Sequence, residues 1–264
     1  MIIDFHTHIF PDALAPRAID TLLSRAGGIF PPVTDGTQGG LIRSMDEAGI
    51  DISVIQPVIT KETQTVTINE WAAGLASERI IPFGGIFPHT GDYKRDIDFV
   101  VSLGLKGIKL HAEGQGFTVD EPKMLKIYDY AFERGLIILH HAGYDPGFAP
   151  PYHTSPEKFR NVVRQMKGGI MIAAHLGGQS QWAEVEKYLV GENIYLDTSM
   201  GQKLYPEEQF LRIVRAHGAD KILFATDSPW SCAKDEVGLL KKTPLTEEEK
   251  ELILSANAKR LLSI

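Results

Sequence analysis

His6 and His8 stand one residue apart at the end of a short apolar run, Ile2-Ile3-Asp4-Phe5. In a strand, positions i and i+2 face the same way, so the two imidazoles aim into one small volume, as the first ligands of a metal must. The same spacing recurs at Lys109 and His111, after Gly107-Ile108. His140 and His141 follow the apolar stretch 136–139, His175 lies in Ala173-Ala174-His175-Leu176-Gly177-Gly178, and Asp227 in Ala225-Thr226-Asp227-Ser228-Pro229. His140 and His141 are adjacent, so only one of them points inward. Neutral imidazoles with a carboxylate suit Zn²⁺ first, with Mn²⁺, Fe²⁺ and Co²⁺ as rivals. Taken singly each residue has a plainer use: Asp227 as a turn former, Lys109 as a lysine that snorkels from the core, a histidine as a strand end. Their joint placement after strand-like runs argues for one metal-centred site. His89, after Phe87-Pro88, and His217, before Gly218, read as structural.

The elements that must position these groups alternate. Strand-like runs cover residues 2–6, 52–57, 80–87, 107–110, 136–140, 169–174, 194–197 and 222–226. Several are continuously apolar, as buried parallel strands are. Between them lie stretches of helical spacing. Residues 122–134 place Leu125, Tyr128 and Phe132 together before Gly135, and 206–217 place Phe210, Ile213 and Val214 together before Gly218. Eight strands, each followed by a helix, predict an α/β fold of the closed (β/α)₈ TIM type, with an open doubly wound sheet as the alternative. One domain spanning 1–264 is the simplest division. Two connections exceed the usual length, 27–40 and 143–153, and both follow a strand, on the face where barrel enzymes place their sites. They are candidate lids or pocket walls. Tyr144, Tyr152 and His153, with Gln115 and Phe117, are expected substrate contacts there, and Trp230 an expected wall.

At 264 residues the chain has the length typical of one such barrel. Its formal net charge of −7 argues against nucleic acid or an anionic membrane as partner. A single cysteine, Cys232, allows no intrachain disulfide, supplies no cysteine cluster for a structural zinc, and is expected to be a packing residue. The N-terminal residues do not read as a secretory signal, and no apolar run approaches the roughly 20 residues that span a bilayer. The expectation is a cytoplasmic protein acting on a small molecule, with a homodimer as the default assembly.

The strand-1 His-x-His, His141-Ala142-Gly143, Ala174-His175-Leu176-Gly177-Gly178 and Thr226-Asp227-Ser228-Pro229 resemble the amidohydrolase superfamily. Gly107-Ile108-Lys109-Leu110-His111, Leu196-Asp197-Thr198-Ser199 and Asn257-Ala258-Lys259-Arg260-Leu261-Leu262 resemble more narrowly its amidohydrolase-related (family 2) branch, which includes aminocarboxymuconate-semialdehyde decarboxylase. The resemblance implies a somewhat distorted (β/α)₈ barrel with one or two divalent metals. It implies His6, His8, His141 and Asp227 as metal ligands and His175 as a catalytic residue or second-metal ligand. Lys109 occupies the place of the family's bridging carboxylated lysine, and with His111 is assigned to a second metal or to substrate.

Two activities follow. The first expectation is hydrolysis of a small amide, lactone or related bond by metal-activated water, with Asp227 carrying the proton and His175 stabilising the charge on the attacked oxygen. The alternative is non-oxidative decarboxylation of a small carboxylic acid on the same ligands. A cationic residue in the pocket would favour the acidic substrate, and Lys109, Lys203 and Lys234 are the candidates by position. A third reading, a silent barrel that only binds, would be marked by a missing ligand, and every expected ligand type is present.

Overall fold

The computed structural model describes residues 1–166, 168–201 and 204–264. Among them, nine strand segments pair in parallel: β1 Ile3–Thr7, β2 Ile52–Ile55, β3 Ile80–Pro82, β4 Gly84–Gly85, β5 Gly107–Leu110, β6 Ile137–His140, β7 Ile170–Ala173, β8 Tyr195–Asp197 and β9 Ile222–Leu223. They form two sheets, β1-β2-β3 and β4 through β9 in order. The expected third strand, 80–87, is therefore broken at Phe83 and stops at Gly85. Its first half pairs back to β2 and its second half forward to β5. Phe83 N still donates to Ile55 O at 3.0 Å across the break. At the other seam Phe5 N donates to Phe224 O at 2.9 Å and Asp227 N to His6 O at 2.8 Å, joining the first strand to the end of the last. The ring so drawn has eight positions, β3 and β4 sharing one. It is a (β/α)₈ barrel with one irregular staple.

Two apolar clusters account for its stability. The inner one takes Ile3, Phe5, Val54, Phe83, Ile137, Leu139, Ile172 and Leu223 from around the ring and adds Ala258 and Leu262 of the last helix, Asn257–Leu262. Residues drawn from so many strands meet only inside a ring. The outer cluster lies between strands and helices and includes Ile108, Leu110, Ile138, Met124, Ile127 and Tyr128. Alternation along β5 and β6 produces this division. Lys109 pairs in register with Leu139, an inner residue, while Ile108 pairs with Ile138, an outer one.

The helices expected at 122–134 and 206–217 run Pro122–Glu133 and Glu207–His217. Pro122 opens the first, where its missing N–H costs nothing, and Pro206 caps the second. Among the described residues no helix is long and apolar enough to cross a membrane.

Candidate metal centre

The C-terminal ends of the strands bring three of the sequence-nominated groups together: His6, His8 and Asp227 offer ligand atoms within 4.8 Å of one another. His6 Nε2 lies 3.1 Å from His8 Nε2. Asp227 Oδ1 lies 3.4 Å from the first and 3.1 Å from the second. The other face of each ring decides which nitrogen carries hydrogen. His6 Nδ1 donates to Asp197 Oδ2 at 3.0 Å, and His8 Nδ1 donates to the Gln56 carbonyl at 2.7 Å. Both acceptors are fixed, since Asp197 Oδ1 also accepts from His175 N at 2.9 Å and Ser199 N at 3.0 Å. Each Nε2 is therefore unprotonated, and both face a carboxylate oxygen. Three acceptors this close repel one another unless positive charge faces them; Lys109 Nζ, 2.8 Å from His6 Nε2, supplies part of it, and a metal cation among the three would supply the rest. The carboxylate–imidazole pairing behind His6 is the usual support of a metal-ligating histidine.

His175 and His141 extend the arrangement. His175 Nδ1 faces Ser199 Oγ at 2.9 Å and the Ser199 carbonyl at 3.3 Å, and the Ser199 hydroxyl itself donates to Asp197. So His175 Nδ1 carries the hydrogen, and its Nε2 accepts from His141 Nδ1 at 3.1 Å. That leaves His141 Nε2 bare, buried and without a partner. It fits a metal-facing donor. His141 itself groups within ligand distance of His111 and Asp145, not of the His6 trio. This second trio differs in kind. Gly114 N donates to His111 Nδ1 at 3.2 Å, so His111 Nε2 carries a hydrogen, and it donates to Asp145 Oδ2 at 3.0 Å. Donor and acceptor are already matched there, and no cation is called for.

Lys109 is wholly buried, its Nζ 2.8 Å from His6 Nε2. Burial pulls its pKa down to about 8, which the negative charges of Asp227, Asp197 and Asp145 oppose. His6 falls to about 3, through burial and then Lys109. Burial alone would raise Asp197, but His6 and Ser199 hold it near 2. The same opposition keeps Asp227 well below the usual carboxylate range, against burial, with His6 and His8 facing it. Asp4 is pushed up to about 7 by burial, although Thr226 Oγ1 donates to it at 2.6 Å. His175 and Asp227 both sit in the left-handed region, at φ 57° and 62°. Such strain costs about 1–3 kcal/mol per residue and tends to collect at functional sites. Here it is held by His175 N on Asp197 and by Asp227 N on His6 O.

Other expected residues are placed as follows. His140 points away from the ring interior into the rings of Phe117, Tyr128 and Phe159, at centroid distances of 5.9, 5.3 and 5.7 Å. Phe117, expected beside the mouth, thus belongs to the outer core. Gln115 is also buried, its amide donating to Ile59 O and Ile86 O. Tyr144 and Tyr152 are half-buried and meet edge to face at 5.6 Å. Trp230 is half-buried, its backbone N–H donating to the Asp227 carbonyl at 2.9 Å. His217 is buried between Gly191 N and Ile194 O, a structural role, while exposed His89 faces the carbonyls of Gln115 and Gly116. Lys234 is exposed on the helix Ala233–Lys242, and Lys203 lies outside the described residues. The reading of single residues gave no role to Asp197, Ser199, Gln56 or Asp145. Asp197 and Ser199 carried a signal, since both lie in the Leu196-Asp197-Thr198-Ser199 motif at the end of a strand.

The amidohydrolase family model matches residues 3–264. No curated protein matches the chain by sequence. Solved structures share its fold. An uncharacterised TIM-barrel protein from Bordetella bronchiseptica is 20% identical with a TM-score of 0.79, covering 99% of this chain and 98% of that one. The 5-carboxyvanillate decarboxylase from Novosphingobium aromaticivorans, solved with manganese and 4-hydroxy-3-methoxy-5-nitrobenzoic acid, is 15% identical with a TM-score of 0.77, covering 100% and 96%. A dihydroxybenzoic acid decarboxylase from Polaromonas sp. JS666, solved with manganese and 2-nitroresorcinol, is 17% identical with a TM-score of 0.73, covering 99% and 96%.

Proposed function

The chain belongs to the amidohydrolase family, and from that premise we propose that it is a divalent-metal-dependent enzyme that removes carbon dioxide from a small carboxylic acid. His6, His8 and Asp227 would hold the ion; His141, whose bare Nε2 lies outside that group, would be the fourth ligand that the family resemblance implies. A nitrogen–oxygen donor set accepts zinc, manganese or iron; manganese is the ion named with the two decarboxylases above. When bound, such an ion supplies a Lewis acid to a substrate oxygen.

The observation that carries the reading is Lys109 Nζ, wholly buried 2.8 Å from His6 Nε2. Burial lowers its pKa, and Asp227, Asp197 and Asp145 favour its charged form against that burial. Lys109 puts a fixed positive charge beside the ligand trio, where it attracts a carboxylate and stabilises the electron pair left on carbon as carbon dioxide departs. Buried charge is worth most where water is excluded. The carbon–carboxyl bond breaks, its electrons stay on carbon, and a proton takes the carboxyl's place. His175, hydrogen-bonded on both ring nitrogens, and Asp227 are the groups that relay that proton. Tyr144, Tyr152 and Trp230 would contact the substrate. Hydrolysis, the first expectation from sequence, takes second place because its substrate is neutral before attack and gives the ammonium no carboxylate to bind, and because the two solved relatives above with a named activity are decarboxylases.

The test is a panel of small hydroxylated and unsaturated carboxylic acids offered to manganese- and zinc-loaded protein. Released carbon dioxide is trapped, and new acid or amine groups are counted in parallel on amides and lactones. Carbon dioxide release is expected, falling at least tenfold in Lys109→Met while metal content holds. New acid or amine groups without carbon dioxide would establish hydrolysis instead.

A further inference from the structure

The turn after β5 grips the long loop after β6 at both ends. Near the loop's start His111 Nε2 donates to Asp145 Oδ2, and Asp145 Oδ1 accepts from Gly147 N at 2.7 Å. Near its end Glu113 Oε1 accepts from His153 N at 2.8 Å and Thr154 Oγ1 at 3.1 Å. Between these points lie Phe148 and Tyr152, with Tyr144 just before them. The His111 ring also lies flat on the His141 ring, at a centroid distance of 4.4 Å and an interplanar angle of 11°. It is itself fixed from three sides: Gly114 N donates to its Nδ1, Asp145 accepts from its Nε2, and Phe148 leans on it at 5.8 Å.

His141 needs such support. Its only hydrogen-bonded ring atom is Nδ1, on His175, and one bond leaves the ring free to tilt about that axis. We propose that His111 is a positioning residue, which by stacking holds His141 in the orientation that presents its bare Nε2 to the metal, and which ties the substrate-facing loop to the same support through Asp145. The idea rests on the metal reading above and assigns His111 a role other than ligand. Its Nε2 hydrogen, fixed by the Gly114 bond, is what disqualifies it as a ligand. Supporting contacts of this kind typically change metal affinity by 10–100-fold.

Two substitutions separate the stack from the hydrogen bonds. His111→Phe keeps a flat ring on His141 but can neither cap Gly114 nor bond Asp145. His111→Asn can still cap Gly114 but has no ring. Manganese would be titrated into chelator-stripped full-length protein and followed by the loss of the free-ion electron paramagnetic resonance signal. Amide exchange at residues 144–153 would be followed alongside. His111→Asn is expected to weaken manganese binding about tenfold or more, and His111→Phe less than threefold. Loop exchange is expected to quicken in both. Equal manganese binding by wild type and His111→Asn would overturn the proposal, as would equal losses in the two variants at unchanged melting temperature. A His6→Ala control distinguishes the two failures. If it binds manganese as wild type does, the metal reading has failed, and this proposal with it; if it alone loses binding, only the role of His111 has failed.

Discussion

His140 and His141 are neighbours in the chain and opposites in chemistry. One β-strand step turns His141 toward the other imidazoles and His140 into an aromatic shell, where neither nitrogen has a hydrogen-bond partner. Burial first, and Lys109 second, push the His140 pKa down to about 3. An unfolded chain keeps the ordinary value near 6.5. Between those two values the unfolded state binds more protons, so the contribution is complete above pH 6.5 and is lost as pH falls through the window. His140→Phe should remove that share. In chelator-treated protein, urea unfolding at pH 7.5 and pH 5 should show the variant losing about 2 kcal/mol less than wild type, the linkage of one histidine over 1.5 pH units. Equal losses would mean the ring does not titrate in this way. At this scale the sequence was informative about the trio, because His6, His8 and Asp227 announce themselves by type and by position after strands. It was silent about what orients them. Asp197 is 191 residues from His6, and Gln56 acts through its backbone carbonyl, which every residue possesses.

The connection that turns from β6 into the long loop is closely packed. Gly143 sits at φ +83°, paired with Gln179 across an isolated parallel bridge. A Cβ there would lie 2.3 Å from Gln179 N and 2.6 Å from Gln179 O, both backbone atoms that cannot yield cheaply. Gly143→Ala should cost roughly 2–4 kcal/mol, combining left-handed strain with the clash. Gly135→Ala is the control: its φ is +78° but a Cβ there meets nothing within 4 Å, so about 1 kcal/mol is expected. Denaturation midpoints of the two variants measure the difference, and equal costs would show that the Gln179 contact relaxes freely. The alternation of strands and helices was legible from continuous apolar runs such as Ile137-Ile138-Leu139. The break of the third strand at Phe83 was not. The run 80–87 is apolar throughout, and only the competing partners β2 and β5, one on each side, decide that Ile80–Pro82 leans one way and Gly84–Gly85 the other.

For the molecule as a whole, the ligand trio ties the first strand to the turn after the last, at the seam where the ring closes. A cation bound there binds the folded state and not the unfolded one. At a hundredfold excess over its dissociation constant it adds about 2.7 kcal/mol. A chain of this size gains roughly 2–4 °C per kcal/mol. Stripping the metal should therefore lower the melting temperature by about 5–10 °C, with recovery on adding manganese or zinc. His6→Ala should melt below the stripped temperature, because it also leaves buried Asp197 without its imidazole partner, and should respond to neither ion. Calorimetry that finds no response in the wild type would remove the metal from the account of stability.

Strand period, apolar continuity and residue type are local properties, and they sufficed to read the barrel and to nominate the groups that meet at its mouth. Hydrogen placement is not local. Which imidazole nitrogen is bare depends on partners far away along the chain: Asp197 behind His6, the Gln56 carbonyl behind His8, Ser199 behind His175. The same holds for the cation beside the trio, since nothing in Gly107-Ile108-Lys109-Leu110-His111 says that Lys109 will end against His6 rather than in solvent. Side-chain type sets what a residue is able to do, and the ring of strands selects, by proximity alone, which of those capacities is used.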